Sequence, residues 1–170
     1  KKIKHTPIVF SIVTYPADAG IIESFDYSGN NLVGTSNFVP IHHYINLTRE
    51  FFPTTKYVAI VHRKGEPNSN IQALNLRRQL SKLNIKTVDL QPSSLQEVGE
   101  LLNAVIDEVD LVITTTDTLI QNGGEDIIIK IAAEKKVPIL SSNKQGIKKG
   151  ATLGPVVDFY ALGVASGQLA

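Results

Sequence analysis

Residues 57–69, Tyr-Val-Ala-Ile-Val-His-Arg-Lys-Gly-Glu-Pro-Asn-Ser, decide the fold. Val58, Ala59, Ile60 and Val61 form a near-continuous apolar run, as expected of a parallel strand covered on both faces. Gly65 and Pro67 break that strand, and Asn68 or Ser69 is suited to cap a helix running to about Leu83. The stretch therefore predicts strand, tight turn and helix in succession. In open parallel α/β sheets, ligands bind at the carboxyl ends of the strands. The same residues thus predict where the protein does its work.

Working outward, the alternation repeats. Strand 85–90 leads to helix 94–106, strand 110–114 to a loop and helix 125–135, and strand 137–141 to a short helix at 143–149. Residues 150–153 add a strand and 158–169 a last helix. The apolar stripes expected are Ile71, Leu74, Leu76, Leu80 and Leu83 on one helix, and Leu95, Val98, Leu101, Leu102 and Val105 on the next. Upstream, residues 7–13 and 32–38 read as strands, Ala17 to Phe25 as a short helix, Ser28–Asn31 as a turn, and 40–52 as a helix. Repeated strand–helix units of this length predict an α/β fold: a doubly wound parallel sheet in a three-layer sandwich.

Composition limits the function. The 170 residues are 42% hydrophobic and 19% charged, enough for a real core and too apolar for a disordered chain. The net charge is +1, and the densest basic cluster, Lys144, Lys148 and Lys149, is small and lacks interleaved aromatics. No nucleic-acid partner is expected, because its electrostatic footprint is missing. There is no cysteine, so neither disulfides nor thiolate chemistry operate. No apolar run approaches the ~20 residues of a membrane-spanning helix. The absence of an initiating Met, with a helical pattern still running at Ala170, reads as a piece of a longer chain.

The strongly polar loops, Gly65–Ser69, Thr114–Thr118 and Ser141–Asn143, all follow strands and so fall on one edge of a parallel sheet. Asp117 could pair with a ligand ammonium, or could cap the following helix. Gly123-Gly124 is an elbow before that helix. No cofactor is expected, since neither GxGxxG nor GxxxxGK[ST] occurs. Adjacent His42 and His43 diverge by about 100° on a helix, poor geometry for a metal. His62 at a strand end has no acidic or Ser partner near it in sequence. Ser11 and Ser36 lie in no G-x-S-x-G elbow. Many small hydroxyls and amides without an activated nucleophile point to binding rather than turnover. Two other readings of the same sheet stay open: a cytoplasmic ligand-sensing domain of the lac-repressor type, and a Rossmann-like enzyme.

Four stretches carry a resemblance: PIVFSIVTYPADAGIIES with GNNLVGTS, then GEPNS, then VDLVITTTDT, then VPILSS…GIKKGA…DFYALG. In order and spacing they run through nearly the whole chain. They resemble the ABC transporter substrate-binding proteins of type I periplasmic-binding-protein fold, whose members include aromatic amino acid binders. The resemblance implies two α/β lobes closing on a small ligand, with 1–34 the end of lobe one, 35–154 lobe two, and 155–170 the return crossing and the start of a lobe-one helix. It implies lobe-two contacts from Asn68, Ser69, Asp117, Thr118, Ser141 and Ser142. Thr14, Tyr15, Thr35, Ser36 and Asp158 would join from the hinge and lobe one, with Tyr15 standing where family members often carry an acid. Tyr15, Phe38 and Tyr160 would offer an apolar wall. It further implies a non-enzymatic role, an amino acid-like ligand, ABC permease subunits as partners, and an extracytoplasmic place (periplasmic, or at the cell surface on a lipid anchor).

Overall fold

A computed structural model describes residues 3–170. The chain divides into two compact units, one formed by the residues up to Val39 together with Val157–Ala170, the other by Pro40–Val156. Residues 35–39 thus belong with the first unit.

The second unit begins with helix α1 (Ile41–Phe51), then strand β3 (Tyr57–Val61), α2 (Pro67–Ser81), β4 (Lys86–Leu90), α3 (Leu95–Asn103), β5 (Leu111–Thr114), α4 (Glu125–Lys135), β6 (Ile139–Leu140) and α5 (Lys144–Lys149). Strands β1 (Ile8–Phe10) and β2 (Leu32–Gly34) precede these in the first unit, and α6 (Phe159–Leu169) closes the chain.

Every strand pairing is parallel, and the four-stranded sheet has the order β4-β3-β5-β6. The chain moves one way from β3 to β4, then crosses back to β5 and β6. The topological switch point therefore lies between β3 and β5, where a doubly wound sheet opens its crevice at the carboxyl ends. One face of the sheet, with Ala59, Val61, Leu90 and Val112, packs on Val98, Leu102, Ile106, Ile120, Ile128 and Ala132. By strand alternation Val58, Ile60 and Ile113 face the other side, and all are fully buried. Helices α1 and α2 pack together, as do α3 and α4. The expected α/β layering stands.

Four expectations are corrected. Residues 17–25 form turns rather than a helix: Ala19 N–H reaches Tyr15 C=O, but Gly20 turns left-handed at φ 66° and ends the coil after one turn. Strand β2 stops at Gly34, beyond which the hydroxyls of Thr35 and Ser36 join the backbone in accepting from Ile12 N–H and Phe38 N–H. Helix α2 starts two residues early, with Pro67 as its first residue, where its fixed φ suits the helix and its missing N–H costs nothing. Of residues 150–153, only Leu153 bridges to Leu140.

Candidate functional site

The loops after β3, β5 and β6 come together at the carboxyl edge. Asn68 Nδ2 donates to Thr116 C=O at 2.7 Å, joining the first loop to the second. Glu66 accepts from Thr118 N–H at 3.2 Å and from Thr118 Oγ1 at 2.7 Å, and Arg63 donates to Thr118 Oγ1 as well. Asn143 Nδ2 donates to Thr115 C=O at 3.2 Å, joining the second loop to the third.

Two buried polar layers support this edge, one on each face of the sheet. On the α1–α2 side, Gln72 Nε2 donates to Tyr44 Oη (3.1 Å) and Ser142 Oγ (2.9 Å), while Gln72 Oε1 accepts from Thr116 N–H (3.2 Å). Tyr44 Oη lies 2.8 Å from Ser142 Oγ, which itself donates to Thr114 C=O. Burial pushes the Tyr44 phenol up to about 12, so it stays a neutral donor at any physiological pH. On the α4 side, Thr114 Oγ1 and Ser141 Oγ both donate to Glu125 Oε1 at 2.6 Å. Burial pushes the Glu125 carboxyl up, and the two hydroxyls pull it partly back. Gly146 makes room for this carboxyl group: a Cβ there would sit 2.3 Å from its carbon.

This geometry sorts the expected site residues. Asn68 is half-buried and Thr118 exposed at the edge. Ser69, Asp117, Ser141 and Ser142 are buried and turned inward. Asp117 fits the capping alternative. Its Oδ1 accepts from Ile120 N–H at 2.8 Å, and its Oδ2 accepts from Arg63 N–H at 2.9 Å and Thr115 Oγ1 at 2.8 Å. Little of a carboxylate's accepting capacity is left for a ligand ammonium. Asp117 is a cap and a loop organiser, the alternative its sequence position allowed. Ser69 Oγ donates to Glu66 C=O at 3.2 Å and holds its own turn.

In the first unit, Ser36 Oγ donates to Thr14 C=O at 3.1 Å, and Thr14 Oγ1 donates to Asn37 Oδ1 at 2.9 Å. Thr35 Oγ1 accepts from Ile12 N–H and lies 2.7 Å from Ser166 Oγ, a bond that ties the segment just after β2 to α6. Tyr15 and Phe38 meet edge to face at 5.5 Å, while Tyr160 is 84% exposed. Asp158 Oδ1 accepts from Ala161 N–H and caps α6.

The sequence reading missed Gln72, Tyr44 and Glu125 as site residues. A signal existed for Gln72: Ser69, Gln72, Leu76 and Leu80 are the buried face of α2 at helical spacing. His62 does have an acidic neighbour, Asp89 on the adjacent strand, at 3.9 Å, and Arg77 holds that aspartate at 2.7 Å. His42 and His43 are exposed, with ring centres only 4.2 Å apart rather than divergent.

The family model for ABC transporter substrate binding proteins matches residues 1–170. The chain belongs to that family. It is 30% identical, over 98% of its length, to a tyrosine-binding protein of Clostridioides difficile strain R20291, of which it covers 48%. Among solved structures, it matches an ABC domain from Streptococcus pneumoniae in complex with L-Trp (TM-score 0.86, 22% identity). It also matches a ligand-free, open substrate-binding protein with adhesive properties from Clostridium difficile (TM-score 0.79, 28% identity). Each structural match covers 98% of this chain and 56% of the other. The chain thus spans about half the length of the relatives it matches. The regulator and enzyme readings left open by the sequence are not favoured by this membership.

Proposed function

We propose that this chain carries the ligand-holding edge of a solute-binding protein that captures an aromatic amino acid for delivery to an ABC permease. The observation that carries the reading is the joining of three polar loops at the switch point of a parallel sheet, beside a helix, α2, whose first turn receives no side-chain cap. A helix start of that kind favours an anion, here the ligand's α-carboxylate. The ligand names attached to the Clostridioides difficile relative and the pneumococcal structure supply the chemical class, an amino acid with an aromatic side chain.

In this reading Asn68 and Thr118 touch the ligand, and Ser69, Asp117, Ser141 and Ser142 hold the loops that present them. The candidates in the first unit are Thr14, Tyr15, Ser36 and Asp158. Capture proceeds without turnover, outside the cytoplasmic membrane, either in a periplasm or on a lipid anchor at the cell surface.

Calorimetric titration of the protein that carries this chain with L-tyrosine, L-tryptophan, L-phenylalanine and the aliphatic amino acids tests the proposal. Micromolar or tighter binding of at least one aromatic member is expected, weakened in Asn68→Ala. No heat with any amino acid would overturn the assignment of ligand class.

A further inference from the structure

Asn68 and Gln72 stand four residues apart on α2, one above the other on the same helix face. Between them they hold both backbone polar groups of Thr116. Asn68 Nδ2 donates to its carbonyl at 2.7 Å, and Gln72 Oε1 accepts from its N–H at 3.2 Å. Thr116 lies beyond the end of β5, in the loop that carries Asp117 and Thr118, so no strand partner fixes its peptide planes. Two side chains of one helix do so instead. The second arm of Gln72 reaches Tyr44 Oη and Ser142 Oγ, which extends the same grip to α1 and to the loop after β6.

We propose that Gln72 is a positioning residue for ligand binding: with Asn68 it grips the Thr116 peptide, so that helix α2 presets the ligand loop 114–118. The inference rests on the reading that this edge holds the ligand. The residue type fits the task. A neutral carboxamide offers an acceptor and two donors in one plane, whereas a carboxylate lacks the donors and a thioether has no donor and only a weak acceptor. Gln72 is only 5% exposed, so water is poorly placed to replace it. A loop held in its bound conformation before the ligand arrives loses less freedom on binding, and that saving appears as affinity.

The grip has a direct readout in the unsubstituted protein, amide hydrogen exchange at Thr116. Although outside any strand, this amide is expected to exchange slowly, in the range of the β3 amides; exchange at the rate of an open loop would overturn the proposal. In Gln72→Met, whose side chain keeps the length but not the polar groups, Thr116 exchange is expected to rise roughly tenfold or more relative to β3. The melting temperature should stay within about 5 °C of the unsubstituted value. Affinity for L-tyrosine or L-tryptophan, whichever binds, should fall about tenfold. Unchanged Thr116 exchange, or unchanged affinity despite faster exchange, would contradict the positioning role. If Gln72→Met does not fold, exchange in the unsubstituted protein decides the grip. If neither amino acid binds the unsubstituted protein, the ligand class is wrong, and exchange at Thr116 still supports or overturns the grip.

Discussion

Helices α2 and α3 begin alike in sequence and differently in space. Both follow a parallel strand, both leave it through a proline, and both start among small polar residues: Gly65-Glu66-Pro67-Asn68-Ser69 for α2 and Gln91-Pro92-Ser93-Ser94 for α3. Helix α3 closes on itself. Ser94 Oγ accepts from Glu97 N–H at 3.2 Å, and the Glu97 carboxylate accepts from Ser93 N–H at 2.7 Å and Ser93 Oγ at 2.8 Å. Helix α2 stays open. Glu66 holds the cap position, but its carboxylate turns away to Thr118, and Ser69 donates to the Glu66 carbonyl instead of accepting from the helix. Similar small polar, proline-containing segments thus give one helix start that is satisfied locally and one that is left for another partner. A polar loop is a candidate site only once its side chains have been traced and found not to serve the fold.

The largest expected effect comes from a residue that serves the fold. Asp117→Ala strips the acceptor from two backbone N–H groups and one buried hydroxyl, and should destabilise the ligand-free protein by about 2–4 kcal/mol. Thermal melting without ligand measures it. An unchanged melting temperature would return Asp117 to the role of a free acid waiting for an ammonium group.

The two helix starts can then be set against each other. Ser94→Ala should cost about 1 kcal/mol of stability, the usual loss for a cap, with ligand affinity intact. Asn68→Ala should cost roughly 0.5–1 kcal/mol and weaken the ligand about tenfold or more. Chemical denaturation paired with calorimetry reads both quantities. Equal affinity losses in the two variants would erase the distinction between an open and a closed helix start.

The smallest effect is in pH dependence, where the two carboxyl groups differ in sign. The Ser93 N–H and hydroxyl hold Glu97 below the ordinary 4.5, so its contribution is present above that value and is lost as pH falls through its lowered pKa. Burial holds Glu125 above 4.5, so its contribution is full below that value and declines as pH rises through its raised pKa. Urea melts taken upward from pH 4.5 should therefore show a shallow loss of stability that Glu125→Gln flattens. A loss of the same slope in that variant would show that another group is responsible.

Much of the fold was legible because its signals are local. The apolar run at 58–61 and the Gly-Glu-Pro break give a covered parallel strand and a turn from the residues alone. Residues 17–25 misled because Ala-Asp-Ala composition suits a helix, while the left-handed Gly20 that stops it is a matter of backbone conformation. The apolar stripes were partly wrong for a related reason. Leu74, Leu95 and Leu101 are exposed, while Gln72 and Ser69 hold stripe positions, because the edge needs polar groups where a core would need leucine. The candidate site was legible as a place more than as a set of contacts. The three loops could be assigned to one edge from topology, and the Asp117 cap from its position, but the inward turn of Ser141 and Ser142 depends on Glu125 and Gln72. Those partners stand up to 70 residues away in sequence. No local pattern carries that information.

The central claim is that the open start of α2 receives the ligand's carboxylate. Amide resonances across α2 and α3 in a ¹⁵N-labelled protein, followed during addition of L-tyrosine and then of tyramine, which lacks the carboxylate, test it most directly. The account predicts that L-tyrosine shifts the Asn68 amide and slows its exchange, that Ser94 to Glu97 stay in place, and that tyramine does neither at equal concentration. Tyramine binding as tightly as tyrosine, or tyrosine binding with Asn68 undisturbed, would contradict it.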